Sequence, residues 1–226
     1  MKTIAYIDGF NLYYSLLRGS TYKWLDVVKL LQDILRTQNP SYELIRVKFF
    51  TAPVLARYAR HGQASHEAQS AYWRGVEAVH GGRFEVIAGK HSPEKVWLPI
   101  VAEGQPLDRE NRQRVWNLNE KQTDVNLALQ MFKDAKSGSV EQVVLVTNDS
   151  DFEPLVREIQ QNTSVQIGLV SPLPHPDVDR HRRPSASLAQ YANWTRRYIL
   201  ETELASAQLP LIIPTGRKPI KKPGHW

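Results

Sequence analysis

The sequence predicts an α/β fold built on a parallel sheet, and three observations carry that prediction. Short apolar runs rich in β-formers recur at 3–7, 43–50, 83–88, 143–147 and 164–170. Segments with helical spacing separate most of these runs, which is the signature of βαβ units. Two of the runs end in aspartate, Ile4-Ala5-Tyr6-Ile7 in Asp8 and Val143–Val146 in Thr147-Asn148-Asp149-Ser150-Asp151. In an open α/β sheet, ligands bind outside the carboxyl ends of the strands.

Taken in order, residues 3–7 form the first strand. The spacing of Trp24, Leu25, Val27, Val28, Leu30, Leu31, Ile34 and Leu35 predicts a helix over 24–36. Glu43–Phe50 alternates as the second strand. Residues 63–80 read as a helix stopped by Gly81-Gly82, and Arg83–Ala88 as a short third strand. Residues 89–117, with Trp97, Trp116, three prolines and many charges, have no clean period and read as an insertion or hairpin over one edge. A helix over 123–135 follows, with Thr123 as its expected N-cap. Val143–Thr147 is the fourth strand, 151–161 the helix after it and Ser164–Val170 the fifth strand. Four prolines make 171–184 a loop. A last short helix is expected at 185–192, followed by Trp194–Leu200. Residues 210–226, with four prolines, four Lys/Arg and no acid, are expected to be a mobile tail. The organisation expected is one domain over 1–200 with its insertion, then a basic Pro-containing segment over 201–226.

The bulk numbers bound the function. A chain of 226 residues with 42% hydrophobic residues is long enough for one good-sized core. It has no cysteine, which rules out disulfides and thiolate metal sites. It has no apolar run approaching a membrane span and meets Asp8 too early for a signal peptide, so a cytoplasmic protein without a membrane partner is expected. The net charge of +6 is uneven: residues 171–226 carry nine Lys/Arg against four Asp/Glu, and the other 20 Lys/Arg face 19 acids in residues 1–170. A near-neutral body that still concentrates acids at a few turns is consistent with a metal pocket.

Asp8, Asp124 and Asp149 with Asp151 are the three acidic positions. Each has an ordinary structural use. Asp8-Gly9 can be a turn, Asp124 can sit against the positive end of a helix, and Asp149 or Asp151 can cap the next helix. Asp151 is the expected cap, which leaves Asp149 over for a ligand. Together the three positions fall at turns on one side of the sheet. Crowded carboxylates repel unless a cation intervenes, and an all-oxygen site suits Mg²⁺ or Mn²⁺.

The segments Asp8-Gly9-Phe10-Asn11-Leu12, Lys121…Asp124-Val125 and Thr147-Asn148-Asp149-Ser150-Asp151-Phe152-Glu153-Pro154-Leu155-Val156 together resemble the NYN domain of the PIN-like nuclease superfamily, over roughly residues 3–170. The resemblance implies a three-layer, flavodoxin-like parallel sheet of strand order 3-2-1-4-5. It also implies an acidic Mg²⁺ or Mn²⁺ site and metal-dependent endonucleolytic hydrolysis of RNA. Carried onto this sequence, it makes Asp8, Asp124 and Asp149 metal ligands, Asn11 a residue that orients the ligand or its water, and Asp151 a supporting acid. Lys121 and Ser150 then neighbour the site and can meet a phosphate. The segments 89–117 and 171–226 match nothing in the family pattern.

Weaker substrate candidates, read from charge and aromatic content, are Lys48, Arg57, Arg60, Arg74 beside Tyr72 and Trp73, and the cluster Arg180, Arg182 and Arg183. The seven histidines are scattered without metal-ligand spacing. The main rival reading is a catalytically weak regulator that binds RNA or protein on the same fold. A phosphatase with an aspartyl nucleophile is disfavoured, because Phe10 stands where a second Asp is usual. The 89–117 segment and the tail are the candidates for contacts between copies of the chain.

Overall fold

The structure is a computed structural model and describes residues 1–38, 40–216 and 218–226. In chain order the elements are β1 (Lys2–Asp8), α1 (Gly9–Leu12), α2 (Val27–Gln38), β2 (Glu43–Thr51), α3 (Gln63–His80), β3 (Phe84–Ala88), β4 (Lys90–Pro99), β5 (Arg112–Lys121), α4 (Thr123–Lys136), β6 (Gln142–Val146), α5 (Glu153–Asn162), β7 (Gln166–Val170), α6 (Ala186–Ala189), β8 (Trp194–Arg196), α7 (Glu201–Ser206), β9 (Ile212–Ile213) and β10 (Ile220–Lys221).

The main sheet has six strands in the order β3-β2-β1-β6-β7-β8, and every neighbouring pair is parallel. The first five strands reproduce the expected 3-2-1-4-5 order of an α/β, PIN-like three-layer sheet. β8 adds a sixth strand at the β7 edge, from residues that the sequence left without a strand. β1 lies between β2 and β6, so chain direction across the sheet reverses there and a crevice opens at the strand ends.

Alternation along the strands divides the core in two. Ala5, Ile7, Val47, Phe49, Val144 and Val146 face α2 and α3. Ile4, Tyr6, Phe50, Val143, Leu145, Ile167 and Leu169 face α4 and α5. Even residues of β1 therefore point to the α4 layer, and this parity aims Asp8 at the start of α4. Within that layer one charge is buried on purpose. The Lys48 ammonium donates to Asp134 Oδ2 at 2.7 Å and to Gln130 Oε1 at 3.0 Å, and the Tyr6 hydroxyl donates to the same Asp134 oxygen at 2.6 Å. Burial, followed by the Asp134 carboxylate, pushes the Tyr6 phenol far above its usual range.

The segment expected as an insertion or hairpin at 89–117 is a long antiparallel hairpin, β4–β5, that reaches to Lys121 and forms its own two-stranded sheet. Other local expectations are corrected. Thr123 does not cap α4. The cap position is Gln122, held in the left-handed region at φ 80°, and the Thr123 amide and hydroxyl both donate to the Glu120 carboxylate. With its hydroxyl committed to Glu120, Thr123 has no oxygen turned to the amides of the first turn. Asp151 does not cap the helix after β6. Asp149 instead caps the short 3₁₀ turn Ser150–Phe152 that leads into α5, its Oδ1 accepting the Asp151 amide at 3.0 Å, and the α5 cap position itself is Phe152, which has no side-chain bond to the helix.

The described residues of 210–226 are packed rather than mobile. Ile213, Ile220 and Trp226 join the α2–α3 core, β9 and β10 pair antiparallel, and the Trp24 indole N–H donates to the Pro210 carbonyl at 2.9 Å. Prolines and lysines dominate the composition of this segment, but a few apolar side chains at the right spacing outweigh them. Among the described residues, no helix is long and apolar enough to cross a membrane.

Candidate active site

Asp8 sits where β1 hands over to α1, and the local sequence explains the turn. Gly9 is pressed against β2: a Cβ there would lie 2.7 Å from the Phe50 carbonyl oxygen and 2.8 Å from the Phe49 ring. Only glycine lets α1 start this close to the sheet. Asp8 is buried, and both its oxygens are engaged. Oδ1 accepts the Asn11 amide at 2.9 Å, as the cap of α1, and Oδ2 accepts the Thr147 hydroxyl at 2.9 Å.

Asn11 reaches Asp8 through its backbone. Its side-chain oxygen accepts the Asn148 amide at 3.0 Å, tying α1 to the end of β6. Thr147 Oγ1 also accepts the Asp149 amide at 3.1 Å. One hydroxyl thus holds the acids from β1 and β6 in a fixed relation.

Asp124 enters from the first turn of α4. The electrostatics tie the acids together. Burial pushes the Asp8 carboxyl up to about 6; the hydrogen bonds from Asn11 and Thr147 oppose this, and the charges of Asp124 and Asp149 add to it. Asp124 is also raised, by burial and then by Asp149 and Asp151. The structure therefore brings Asp8, Asp124, Asp149 and Asp151 within electrostatic reach of one another. Among the described residues, no three His, Asp or Glu side chains close into a tight ligand cage. The donor set is all oxygen, which is what Mg²⁺ and Mn²⁺ take, with water completing the shell.

The other candidates divide. Ser150 is exposed on the 3₁₀ turn beside Asp149 and Asp151. Lys121 stands at the foot of the hairpin, with its ammonium 3.4 Å from Glu94 Oε1. The 171–185 loop does border the site: the Arg183 carbonyl accepts Asn148 Nδ2 at 3.1 Å, and Asn148 Oδ1 accepts the Ser185 amide at 2.8 Å. Arg182 is spent on the Ser15 carbonyl at 3.0 Å and on Asp179 at 3.3 Å. Arg180 is exposed in the same loop. Arg74 lies on α3, in the layer opposite α4 and away from the acids.

Sequence reasoning passed over Thr147, Asn148 and Glu120 as site residues. The first two lie inside the quoted Thr-Asn-Asp-Ser-Asp motif, and that motif was the signal for them. Glu120 carries no local signal, since its role depends on the hairpin register. A groove of about 510 Å³ between α4 and α5, lined by Val125, Leu129, Phe132 and Leu155, has Asp124 and Asp151 at its rim.

This is the strand-end acidic crevice of a PIN-like α/β fold. The family model of the NYN domain matches residues 2–181, and the chain belongs to the NYN domain family. A curated relative, the 6-hydroxy-3-succinoylpyridine 3-monooxygenase HspA of Pseudomonas putida, is 39% identical over 241 residues, spanning 100% of this chain and 75% of that protein. A solved structure of a protein of unknown function from Vibrio parahaemolyticus is 20% identical, covers 88% of this chain and 92% of its own, and has a TM-score of 0.49.

Proposed function

We propose that this chain hydrolyses RNA phosphodiester bonds internally, using Mg²⁺ or Mn²⁺ held at the acidic crevice. One observation carries the reading: the Asp8 carboxylate at the end of β1 is buried, fixed by the Asn11 amide and the Thr147 hydroxyl, and faces acids arriving from α4 and the β6 turn, so that burial first and then the charges of Asp124 and Asp149 push it up to about 6. A fold that accepts this cost without supplying a basic partner gains from a cation.

Asp8, Asp124 and Asp149 supply the carboxylates. The Asn11 amide and the Thr147 hydroxyl fix the orientation of Asp8. Asp151, exposed at the lip, takes the proton of the attacking water, and the Ser150 hydroxyl donates to a phosphate oxygen. When bound, the ion lowers the pKa of a water and offsets phosphoryl charge.

The test is cleavage of end-labelled single-stranded and hairpin RNA with Mn²⁺, with Mg²⁺ and with chelator. Asp8→Asn and Asp149→Asn are each expected to lose at least ~100-fold in rate while staying folded, since metal catalysis contributes several kcal/mol. Full activity in both variants, or in chelator, overturns the mechanism.

The relative named as a monooxygenase, similar over the full chain, supports a second reading. In it, the same crevice and the apolar groove beside it hold a hydroxylated pyridine ring for oxygenation. Oxygen uptake with 6-hydroxy-3-succinoylpyridine and a two-electron reductant, lost in Asp8→Asn and accompanied by no RNA cleavage, would select it.

A further inference from the structure

The β4–β5 hairpin is the part of the molecule that the acidic crevice leaves unexplained. Its register puts Lys95 opposite Trp116, Trp97 opposite Arg114 and Pro99 opposite Arg112 on one face. That face is open to solvent, with Trp97 54% and Trp116 47% exposed, whereas Ser92, Glu94, Val96, Val115, Asn117 and Asn119 on the other face are half-buried. Large aromatic side chains left this open in a compact domain mark an interaction surface.

The aromatics are interleaved with cations. The Lys95 ammonium lies 4.8 Å from the Trp116 ring centre and the Arg57 guanidinium 6.0 Å from it, with Tyr58 edge-on to the same indole at 5.3 Å. Arg112 braces the strand through the Trp97 carbonyl at 2.7 Å. Glu120 is the one acid on this face among the described residues of the two strands, and it is bound to Thr123 at the hairpin foot.

The face leads to the acids. His91, about 20 Å down the strand from Trp97 at the usual strand rise, meets Phe10 edge-on at 5.7 Å, and Phe10 follows Asp8 by two residues. The foot is rigid. A Cβ on Gly89 would lie 2.6 Å from the Lys121 carbonyl, and the Gly89 amide donates to the Thr51 carbonyl at 2.7 Å. The loop at the far end carries Glu103, Asp108 and Glu110 against Arg109, which bounds any anionic footprint to the strands.

We propose that this outward face of β4–β5 binds single-stranded nucleic acid and feeds it into the acidic crevice. Unstacked bases lie on Trp116 and Trp97, and phosphates meet Lys95, Arg57, Arg112 and Arg114. Alternating indoles and cations suit a flexible anionic chain with exposed aromatic faces. A duplex, with its bases already stacked, cannot use the indoles. The direction of the strand toward the crevice rests on the nuclease reading; the binding does not.

The test uses the full chain in chelator, so that nothing is cut. A fluorescein-labelled 20-nucleotide oligo(U) RNA and an RNA duplex of equal length are titrated by anisotropy. Trp97→Ala and Trp116→Ala are each expected to weaken oligo(U) binding roughly tenfold. Lys95→Gln and Arg114→Gln should each lower the slope of log affinity against log salt by about 0.7. Unchanged thermal midpoints serve as the control for folding.

Equal affinity for the duplex, or unchanged binding in all four variants, overturns the proposal. So does a concentration-dependent dimer that Trp97→Ala dissolves in a protein that does not bind RNA, which gives the face to a second copy of the chain. Hairpin-dependent binding with no cleavage in metal sustains this proposal and fails the nuclease reading. Cleavage whose KM ignores all four substitutions does the reverse.

Discussion

Two aspartates on α4 live in opposite surroundings. Asp134, near the C-terminal end, meets the buried Lys48 ammonium and the Tyr6 hydroxyl. Asp124, in the first turn, faces Asp149 and Asp151, and its carboxyl is pushed up by burial and by their charges. The same helix and the same layer thus hold one acid that is neutralised and one that is set against its own kind. Where the fold needs a carboxylate in its core, it supplies the counter-charge itself. At the ends of the strands it does not, and the charge left over is what an outside cation would meet.

Substitution offers the sharpest way to break that comparison. Asp134→Ala strands the Lys48 charge in the core and should cost about 3–5 kcal/mol in denaturant titrations. Asp124→Ala should stay within about 0.5 kcal/mol of the parent, or gain slightly, because it removes repulsion from Asp149 and Asp151 and leaves no charge without a partner. Equal costs at the two positions would end the argument that they differ in kind.

Acidity sharpens the comparison further. Because the folded state holds Asp8 at about 6 against an ordinary 3.8, the native protein binds the extra proton between those values. Stability contributed by Asp8 is therefore present at low pH and lost as pH rises from about 4 to about 6, by on the order of 3 kcal/mol. The difference between the parent and Asp8→Asn across that window isolates this contribution from other titrations. Adding Mn²⁺ at pH 8 should restore most of the lost stability to the parent and little to Asp8→Asn. A flat difference curve would remove the electrostatic case for a cation.

The smallest effect expected is at Thr147. Thr147→Val deletes a hydroxyl that donates to Asp8 and accepts from the Asp149 amide. It should cost about 1–2 kcal/mol in stability and about tenfold in Mn²⁺ affinity, as losses of groups that hold metal ligands do. Calorimetric titration reads the second figure directly, and unchanged affinity would show that Thr147 serves only the turn.

The sheet was legible because its signals are local. Apolar runs such as Val143–Val146 and helical spacing such as that of 63–80 need no tertiary knowledge, and the observed elements fall within a few residues of the expected ones. The hairpin was half legible, since exposed tryptophans and charges mask a period of two when one face lies open. The C-terminal segment was misread because Ile213, Ile220 and Trp226 act through partners such as Trp24 and Tyr72, nearly the whole chain away. The crevice was legible as a set of acids at turns. How those acids are held was less so, because Asp8 depends on Thr147 and Asp149 on the Asp151 amide, and such pairings follow from geometry that no spacing records.

The packing of the described residues of 207–226 onto α2 and α3 has a consequence for the order in which the protein can be made. The Asp26 amide donates to the Ala207 carbonyl, the Leu209 amide to the Trp24 carbonyl, and Trp226 closes over Trp24 and Tyr72. Synthesis runs from the N-terminus, so α2 and α3 emerge from the ribosome long before the residues that cover them. The α4–α5 layer can close as soon as β7 and α6 are out, but the other layer waits with Trp24 uncovered. A growing chain stalled near residue 200 would present a finished acidic edge on a body with one greasy flank, and would be a natural client for a chaperone.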